Sequence, residues 1–419
     1  MLNNFRSAAR SLRKSPGFSV VAIGILALGI GASTAIFSVL HALLLKPLPY
    51  RDARQLVQVQ SQHSEQGISI LAPATFVELS QQSRSFAAIA AQQYYYVNLT
   101  KAAAPAQLTE VQATETYFQV FGVSPLKGRT WTASETVEGS APVAVIGEQI
   151  WRTQFNSRDD IIGQTITLDD IAHVVIGVMP AGFNDPWGNA TLWRPIPMNG
   201  KATQDRRTRY WSVFARLKDG VSLRQADAEL AAFARQAAET FPIENKGWTL
   251  AAADLHNLVV GNYRTGLLVV AGAVACVLLI TCANVAGLSV VRGISRRKEL
   301  AVRAAVGASR GHLLRQLLSE SLLLALAGGG LGILIANWGV DAIVGHFADG
   351  WLPRAGEISI NLPVLLAALL LTMGTGLAFG LIPAWSASRV DANDALKDGS
   401  GRGSAGPAAR RLRSGLVIV

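Results

Sequence analysis

Few residues in this sequence have the types and the spacing that chemistry requires. The two cysteines, Cys276 and Cys282, lie six residues apart, and no histidine or carboxylate stands near them to complete a metal site. The six histidines are isolated from one another, and the acidic pairs Asp159–Asp160 and Asp169–Asp170 stand where turns are expected. Neither HExxH nor GxSxG occurs in the long segment 46–264. We therefore expect no catalytic residue and no metal site.

The sequence also lacks a phosphate-binding loop. A P-loop reads GxxxxGK[ST], because its glycine-rich backbone cradles phosphates while the lysine reaches the β- and γ-phosphates. Here Gly200 and Lys201 are followed by Ala202, and the motif occurs nowhere else. The chain is thus expected to bind no ATP and to hold no cofactor of its own.

What the sequence does contain is apolar segments. Half of the residues (50%) are hydrophobic and 16% are charged, whereas soluble domains carry about 25% charged residues. A helix needs roughly 20 apolar residues to cross about 30 Å of hydrocarbon. Four segments meet this length: residues 18–45, 267–291, 317–347 and 362–388. The first is too long for the apolar region of a cleaved signal peptide, which runs about 7–15 residues, so we interpret it as a retained anchor.

The basic residues predict an orientation, since Lys and Arg collect on the cytoplasmic side of a membrane. Residues 1–17 carry four basic and no acidic residues, 292–316 carry seven and one, and 389–419 carry six and three. Residues 47–264 carry nineteen basic and twenty acidic residues, and 348–361 carry one and two. Both chain ends are therefore predicted inside. The net charge of +10 follows mostly from this topology, so we expect no nucleic-acid partner.

Small residues are frequent in the predicted spans. Gly29 and Gly31 lie in the run ALGIGASTA, residues 327–332 read AGGGLG, and Gly376 and Gly380 form a GxxxG motif. Small residues allow helices to approach closely in lipid, so these glycines are candidate packing positions; ordinary membrane-helix composition is the alternative. No charge lies deep in a span, which argues against an ion-coupled transporter or a proton pump.

The long segment between the first two spans, residues 46–264, has a mixed α and β pattern. Ser222, followed three residues later by Gln225, forms a capping box before a helix predicted over 222–240, whose apolar positions include Ala226 and Leu230. A second helix is predicted over 73–88. Five short segments rich in β-branched residues are predicted strands: 56–60, 143–146, 165–168, 173–179 and 211–217.

The loop between spans two and three, SRRKELAVRAAVGASRGHLLRQLLSES, predicts a short amphipathic helix. Glu299 and Arg303 stand four residues apart and can pair on one face of such a helix, and Gly307 bends or ends it. A charged helix at a membrane exit can lie against lipid headgroups or form a docking surface for a soluble partner. The residues of the loop leave both interpretations open.

Several motifs resemble those of one family. The residues FRSAARSLRKSPGFSVVAIGILALGIGASTAIF, VAVIGEQIWRTQF (143–155), RRKELAVRAAVGASR (296–310) and PAWSASRVDANDALKDG (383–399) occur in the order of MacB/FtsX-type permeases of ABC transporters. The chain resembles these mechanotransmission (type VII) permeases from end to end, and in particular the first half of a long group with two fused halves.

This resemblance implies a fold and its partners. The fold is a membrane α-helical protein with four transmembrane helices and a large mixed α+β periplasmic domain between the first and second. A separate ATPase subunit, which binds ATP and Mg, would dock on the cytoplasmic loop. The docking residues implied are Arg297, Glu299, Arg303, Gly307 and Ala308. A periplasmic adaptor, a homodimer or a pseudo-dimer of halves, and contact with membrane lipid are further expectations.

The implied segments follow the chain from a cytoplasmic N-terminus to a cytoplasmic tail in the bacterial inner membrane. They are a cytoplasmic segment 1–17, span 18–45, periplasmic core domain 46–264, span 267–291, coupling loop 292–316, span 317–347, periplasmic loop 348–361, span 362–388 and tail 389–419. Two features depart from the family pattern. DANDAL lacks the family's proline, and LVIV at 416–419 resembles the beginning of a fifth span, so the tail could start a truncated second half.

Three functions compete on this evidence. The first is a non-catalytic permease subunit for efflux or export of antibiotics, peptides or lipid-linked substrates. The second is an FtsX-like regulator that transmits the state of the ATPase to a periplasmic partner such as a cell-wall hydrolase. The third, a membrane enzyme, is disfavoured because no catalytic constellation is found. The size of the outer segment favours the first over the second.

Overall fold

The computed structural model describes residues 2–100, 105–183, 185–186, 190–295, 310–347 and 358–388. The chain forms two compact units. We call Met1–Lys46 together with Tyr263–Val419 the helical unit, and Pro47–Asn262 the αβ domain.

The described residues contain ten α-helices. They are α1 (Leu2–Arg13), α2 (Pro16–Leu40), α3 (Pro73–Gln82), α4 (Tyr117–Phe121), α5 (Glu148–Phe155), α6 (Leu223–Thr240), α7 (Pro242–Asn245), α8 (Leu255–Ser295), α9 (Arg310–Phe347) and α10 (Leu362–Ser388).

The strands of the αβ domain form one sheet. They are β1 (Leu56–His63), β2 (Gly67–Ser69), β3 (Phe86–Thr100), β4 (Ala106–Ala113), β5 (Lys127–Gly128), β6 (Val143–Gly147), β7 (Thr165–Leu168), β8 (Ile171–Met179), β9 (Leu192–Pro195), β10 (Ser212–Leu217) and β11 (Trp248–Asp254).

The helical unit contains apolar helices of membrane-spanning length. Pro16–Leu45, Tyr263–Arg292 and Arg315–His346 are each long and apolar enough to cross a bilayer, and Leu362–Ala378 is a shorter apolar stretch. Pro16 starts α2, where its missing N–H has no helical partner to lose. A single π-helical turn, His41–Leu45, extends α2.

The apolar helices of this unit pack around α9, which lies against α2, α10 and α1. One buried cluster joins Leu26 and Ile30 of α2 to Val285 of α8 and Leu324 of α9. A second joins Val39 and the π-helical turn to the far half of α9. Because lipid tails are as apolar as these side chains, such contacts act through close packing rather than through removal from water.

The sheet of the αβ domain is mixed. Its strand order is β11-β1-β10-β3-β4-β9-β6-β8-β5, with β2 paired to β1 and β7 paired to both β3 and β8. The pairs β4–β9 and β6–β8 are parallel. Parallel neighbours need crossover connections, and α5 lies in the connection between β6 and β8.

The predicted strands are all present, and so is the capped helix. Ser222 Oγ accepts from Gln225 N, and the Gln225 side chain accepts from Ser222 N, which confirms the capping box of α6. Asp169 and Asp170, with φ of 44° and 66°, form the two-residue turn between β7 and β8. This arrangement confirms the turn interpretation of that acidic pair.

The prediction of a helix over 73–88 is wrong for its last six residues, 83–88. Helix α3 ends at Gln82, Ser83 is extended, and Phe86 already pairs with Leu217 in the sheet. The alanine-rich residues that follow Phe86 favour a helix locally, but pairing of β3 with β10 and β4 overrides that preference.

Two apolar cores lie against this sheet. One packs α3 and α6 against β1, β3, β10 and β11, with Trp211 and Leu230 fully buried. The other packs α5 against β6, β7 and β8. Aromatic side chains that include Tyr117, Phe121 and Phe183 form a third packed group beside β9.

A buried polar triad joins three strands beside these cores. Arg194 of β9 donates two hydrogen bonds to the Glu110 carboxylate of β4, at 2.5 and 2.6 Å. Its third nitrogen lies 2.8 Å from His173 Nε2 of β8, and His173 Nδ1 lies 3.0 Å from the carbonyl oxygen of Ile171. A guanidinium only donates, so Nε2 accepts and Nδ1–H donates. His173 is therefore neutral in this arrangement.

We predict that the triad makes the αβ domain acid-sensitive. Burial lowers the pKa of His173 from its usual value, and the neighbouring Arg194 lowers it further. The unfolded chain then binds the proton more readily, so the stabilisation is complete above about pH 6.5 and is lost as pH falls through the folded-state pKa. The thermal denaturation midpoint of the full chain in detergent should fall between pH 7.5 and 5, and His173→Gln should flatten that fall.

His63→Gln serves as the matched control, because His63 is a half-buried histidine of the same domain outside the triad. An equal fall in denaturation midpoint for wild type and His173→Gln would contradict the assignment.

Candidate functional site

The candidate site of the helical unit consists of glycines where two helices come close together. A Cβ atom added at Gly29 of α2 would lie 2.7 Å from Thr281 Oγ1 of α8. One added at Gly31 would lie 2.9 Å from the carbonyl oxygen of Gly332 of α9, and one at Gly332 would lie 3.1 Å from the oxygen of Ala27. Helices α2 and α9 therefore touch through their backbones, and a larger residue has no room there.

The same arrangement recurs between α9 and α10. A Cβ atom at Gly329 would lie 2.6 Å from Thr372 Oγ1, and one at Gly376 would lie 2.9 Å from the Cβ of Ala325. Of the four predicted packing glycines, Gly29, Gly31 and Gly376 thus face a neighbouring helix. Gly380 lies in α10, and its surroundings fall outside the described residues.

Hydroxyl groups at these contacts bond within their own helices. Thr34 donates to the carbonyl oxygen of Ile30 at 2.7 Å, Thr281 to that of Val277 at 2.9 Å, and Thr372 to that of Ala368 at 2.7 Å. Such bonds to the preceding turn satisfy a hydroxyl without water. These polar side chains are consequently compatible with a lipid environment.

One end of the helical unit holds a buried pair of opposite charges. Arg292 in the last turn of α8 has its Nη1 3.8 Å from Glu320 Oε2 of α9. The same guanidinium donates to the carbonyl oxygen of Ser11 in α1 at 3.0 Å, and it lies 4.5 Å from the ring centre of Phe18 in α2. One side chain therefore contacts three other helices.

At the far end of α2, a polar contact joins the π-helical turn to α10. Asn361 Oδ1 accepts from Val364 N at the start of α10. Its amide nitrogen, a donor, lies 3.4 Å from His41 Nδ1. Asn361 thereby caps one helix and contacts the end of another.

The five predicted docking residues, Arg297, Glu299, Arg303, Gly307 and Ala308, lie outside the described residues. The sequence places charges only near the ends of the spans, and nothing in it pairs Arg292 with Glu320. The sequence feature that could have indicated this pair is two opposite charges, each near the end of a span that adjoins the same loop. Thr281 and Thr372 were missed as well, because nothing local shows that a threonine on one helix faces a glycine on another.

Two family models match the chain in sequence order. One, described as the MacB-like periplasmic core domain, matches residues 19–233, about half of the chain. The other, described as the FtsX-like permease C-terminal domain, matches residues 271–392. The chain belongs to the MacB/FtsX family of permeases. The resemblance found in the sequence is thereby confirmed.

Curated relatives in this family are similar over two thirds of the chain. The chain is 29% identical over 287 residues to the macrolide export ATP-binding/permease protein MacB of Salmonella paratyphi A, covering 67% of this chain and 42% of that protein. It is 28% identical over 286 residues to a MacB protein of Yersinia pestis, covering 68% and 42%. The chain thus spans less than half the length of these relatives.

A solved structure of a MacB fragment is also similar. The periplasmic region of MacB from Actinobacillus actinomycetemcomitans matches 50% of this permease chain and 94% of its own length, with 18% identity and a TM-score of 0.38.

We predict that the glycine contacts tolerate no side chain. Gly29→Ala should lower the thermal denaturation midpoint of the full permease chain in detergent, since overpacking destabilises by about 1–3 kcal/mol. Thr281→Ala removes the two nearest atoms and should restore part of the loss. Gly24→Ala is the matched control, because Gly24 lies in the same helix with nothing within 4 Å of its added Cβ. Equal midpoints for the Gly29 and Gly24 variants would refute close packing at Gly29.

Proposed function

We propose that this chain is the transmembrane permease subunit of an ABC transporter in the bacterial inner membrane. It couples ATP hydrolysis by a separate ATPase subunit to a conformational change in a periplasmic αβ domain. The observation that carries the proposal is the succession of a MacB-like core match and an FtsX-like permease match along one chain.

The chemistry of the helical unit supports a mechanical role. In the sequence of the apolar segments, the charges lie near their ends, and the hydroxyls described above bond within their own helices. An ion or proton path through lipid generally needs charged or polar groups at membrane depth. Tightly packed helices without such groups can transmit movement but offer no path for an ion.

We therefore propose that a partner subunit supplies the energy for the conformational change. The sequence lacks a P-loop, so ATP and Mg bind to the ATPase subunit, and the permease chain is not itself an enzyme. The loop around Arg297, Glu299, Arg303, Gly307 and Ala308 is the proposed docking segment.

The proposed topology has four spans with both termini inside, and the αβ domain outside between the first and second. The excess of basic residues in 1–17, 292–316 and 389–419 supports it. Helix α10 supplies the fourth span. A second copy, or a second half, completes the assembly.

The substrate class proposed is antibiotics, peptides or lipid-linked molecules handled outside the inner membrane, with a periplasmic adaptor. The names of the similar MacB proteins, which state macrolide export, support export over regulation of a cell-wall hydrolase. The two functions differ in their partners, and an ATPase gene beside an adaptor gene favours export.

Charge reversal should test the docking segment. The full chain purified gently from its native host should retain an ATPase subunit. Arg303→Glu combined with Glu299→Lys should abolish that copurification, because both charges at the proposed contact change sign. Lys14→Glu, an exposed basic residue of the cytoplasmic N-terminal segment, should leave it intact. Undiminished copurification of the ATPase subunit with the double variant would refute the proposed docking segment.

Cysteine labelling should test the topology. In a background with Cys276→Ala and Cys282→Ala, a membrane-impermeant maleimide should label Lys201→Cys in cells whose inner membrane is intact, because Lys201 is an exposed residue of the αβ domain. Arg13→Cys, also exposed, should be labelled only after the membrane is permeabilised. The reverse pattern would overturn the orientation.

A further inference from the structure

The buried charge pair at the end of α8 has a geometry that suits the joining of helices. The side chains of Arg292 and Glu320 are 14% and 8% exposed, so both are largely removed from solvent. Arg292 reaches Glu320 of α9 at 3.8 Å, the carbonyl oxygen and hydroxyl of Ser11 in α1 at 3.0 and 3.3 Å, and the ring of Phe18. We call these four residues the Arg292 cluster.

Stability alone does not account for such a cluster. Taking two charges out of water costs several kcal/mol per ion, and apolar residues of similar volume are often as stabilising or more so. The ion pair also has a long separation of 3.8 Å, whereas strong charge-assisted bonds are about 2.7–2.9 Å. The cluster therefore suits specification of a particular arrangement of helices better than it suits stabilisation.

An orienting role in membrane insertion does not require this geometry either. The positive-inside preference concerns basic residues in the loops at the cytoplasmic surface. Arg315 near the start of α9 meets that description, because its side chain is exposed. Arg292 instead points its guanidinium into the helical unit, where it contacts α1, α2 and α9.

The Arg292 cluster lies next to the proposed docking segment along the chain. Arg292 precedes the proposed docking segment and Glu320 follows it. Their contact therefore joins the two helices on either side of the loop that contains this segment. A displacement of the loop reaches the membrane helices through the last turn of α8 and the first turns of α9. With those turns joined to each other, to Ser11 and to Phe18, the cytoplasmic ends of four helices move together.

We propose that Arg292 is a positioning residue for energy coupling: its buried contacts with Glu320 and Ser11 carry movement of the docking segment into α1, α2, α8 and α9 as one body. This inference rests on the proposed function. It assigns separate roles to two neighbouring regions, with docking in the loop and transmission in the Arg292 cluster.

The test uses the full chain with its copurified ATPase in nanodiscs of phosphatidylethanolamine and phosphatidylglycerol. Deuterium uptake by peptides of residues 47–262 is compared between ADP and ATP with vanadate, and ATPase retention is measured on the same samples. The variants are Arg292→Gln, Glu320→Gln and the swap Arg292→Glu with Glu320→Arg. Lys14→Gln and Asp341→Asn are matched controls, because each neutralises an exposed charge of the helical unit outside the coupling loop and the Arg292 cluster.

We expect the wild type and both controls to show nucleotide-dependent uptake. In Arg292→Gln and Glu320→Gln the difference in deuterium uptake between ADP and ATP with vanadate should shrink at least about fivefold, the lower range of measured coupling between sites. ATPase retention should stay unchanged. The charge swap should recover part of the uptake difference. Arg292→Lys, which keeps the charge without the planar fork, provides a milder variant if Arg292→Gln accumulates poorly, and it should also reduce the difference.

The other outcomes are distinct. Full nucleotide-dependent uptake in Arg292→Gln and Glu320→Gln, or in Arg292→Lys when it replaces them, overturns the inference and leaves the proposed function standing. Loss of the nucleotide-dependent difference in deuterium uptake together with loss of ATPase retention places these residues in docking or folding. That result also overturns the inference. A wild type without a copurifying ATPase, or without any nucleotide-dependent uptake, overturns the proposed function and this inference with it.

Discussion

The close approach of α2 to α9 is the constraint on which the helical unit depends. Lipid supplies no hydrophobic force between helices, so they associate by fitting together. Gly31 and Gly332 let the two backbones touch, and Gly29 and Gly329 receive threonine side chains from α8 and α10. Because cores packed in this way do not deform continuously, a displacement at one end of a helix is carried to its neighbours. That property is what a mechanical permease needs.

The αβ domain is stabilised differently from the helical unit. Water surrounds it, so its core forms by burial of apolar surface. One apolar core packs helices α3 and α6 against the domain's single mixed sheet, and a second core packs α5 against the same sheet. The triad of Glu110, Arg194 and His173 joins β4, β9 and β8, where parallel and antiparallel pairing meet. This side-chain hydrogen-bond network links the three strands and rigidifies the junction.

Much of this arrangement could be predicted from the sequence, because the signals were local. Apolar length indicated the membrane segments, a capping box placed α6, and β-branched runs placed five strands. The continuation of α3 beyond Gln82 was wrong because the pairing of Phe86 with Leu217 is a non-local contact. For the same reason, Thr281 opposite Gly29 and Glu320 beside Arg292 could not be paired: each contact joins residues far apart in the chain. The family resemblance, carried by motifs in order, was confirmed by matches over both parts of the chain.

The proposed function requires that a nucleotide bound on one side of the membrane rearranges a domain on the other. Single-molecule energy transfer tests it directly, with dyes on Lys201→Cys in the αβ domain and Arg13→Cys in the helical unit, both exposed positions. The labelled chain is diluted into unlabelled chain with its ATPase in nanodiscs. A dye-to-dye distance distribution that shifts between ADP and ATP with vanadate is the predicted result. One distribution under both conditions, while the complex hydrolyses ATP, would contradict the proposed coupling across the membrane.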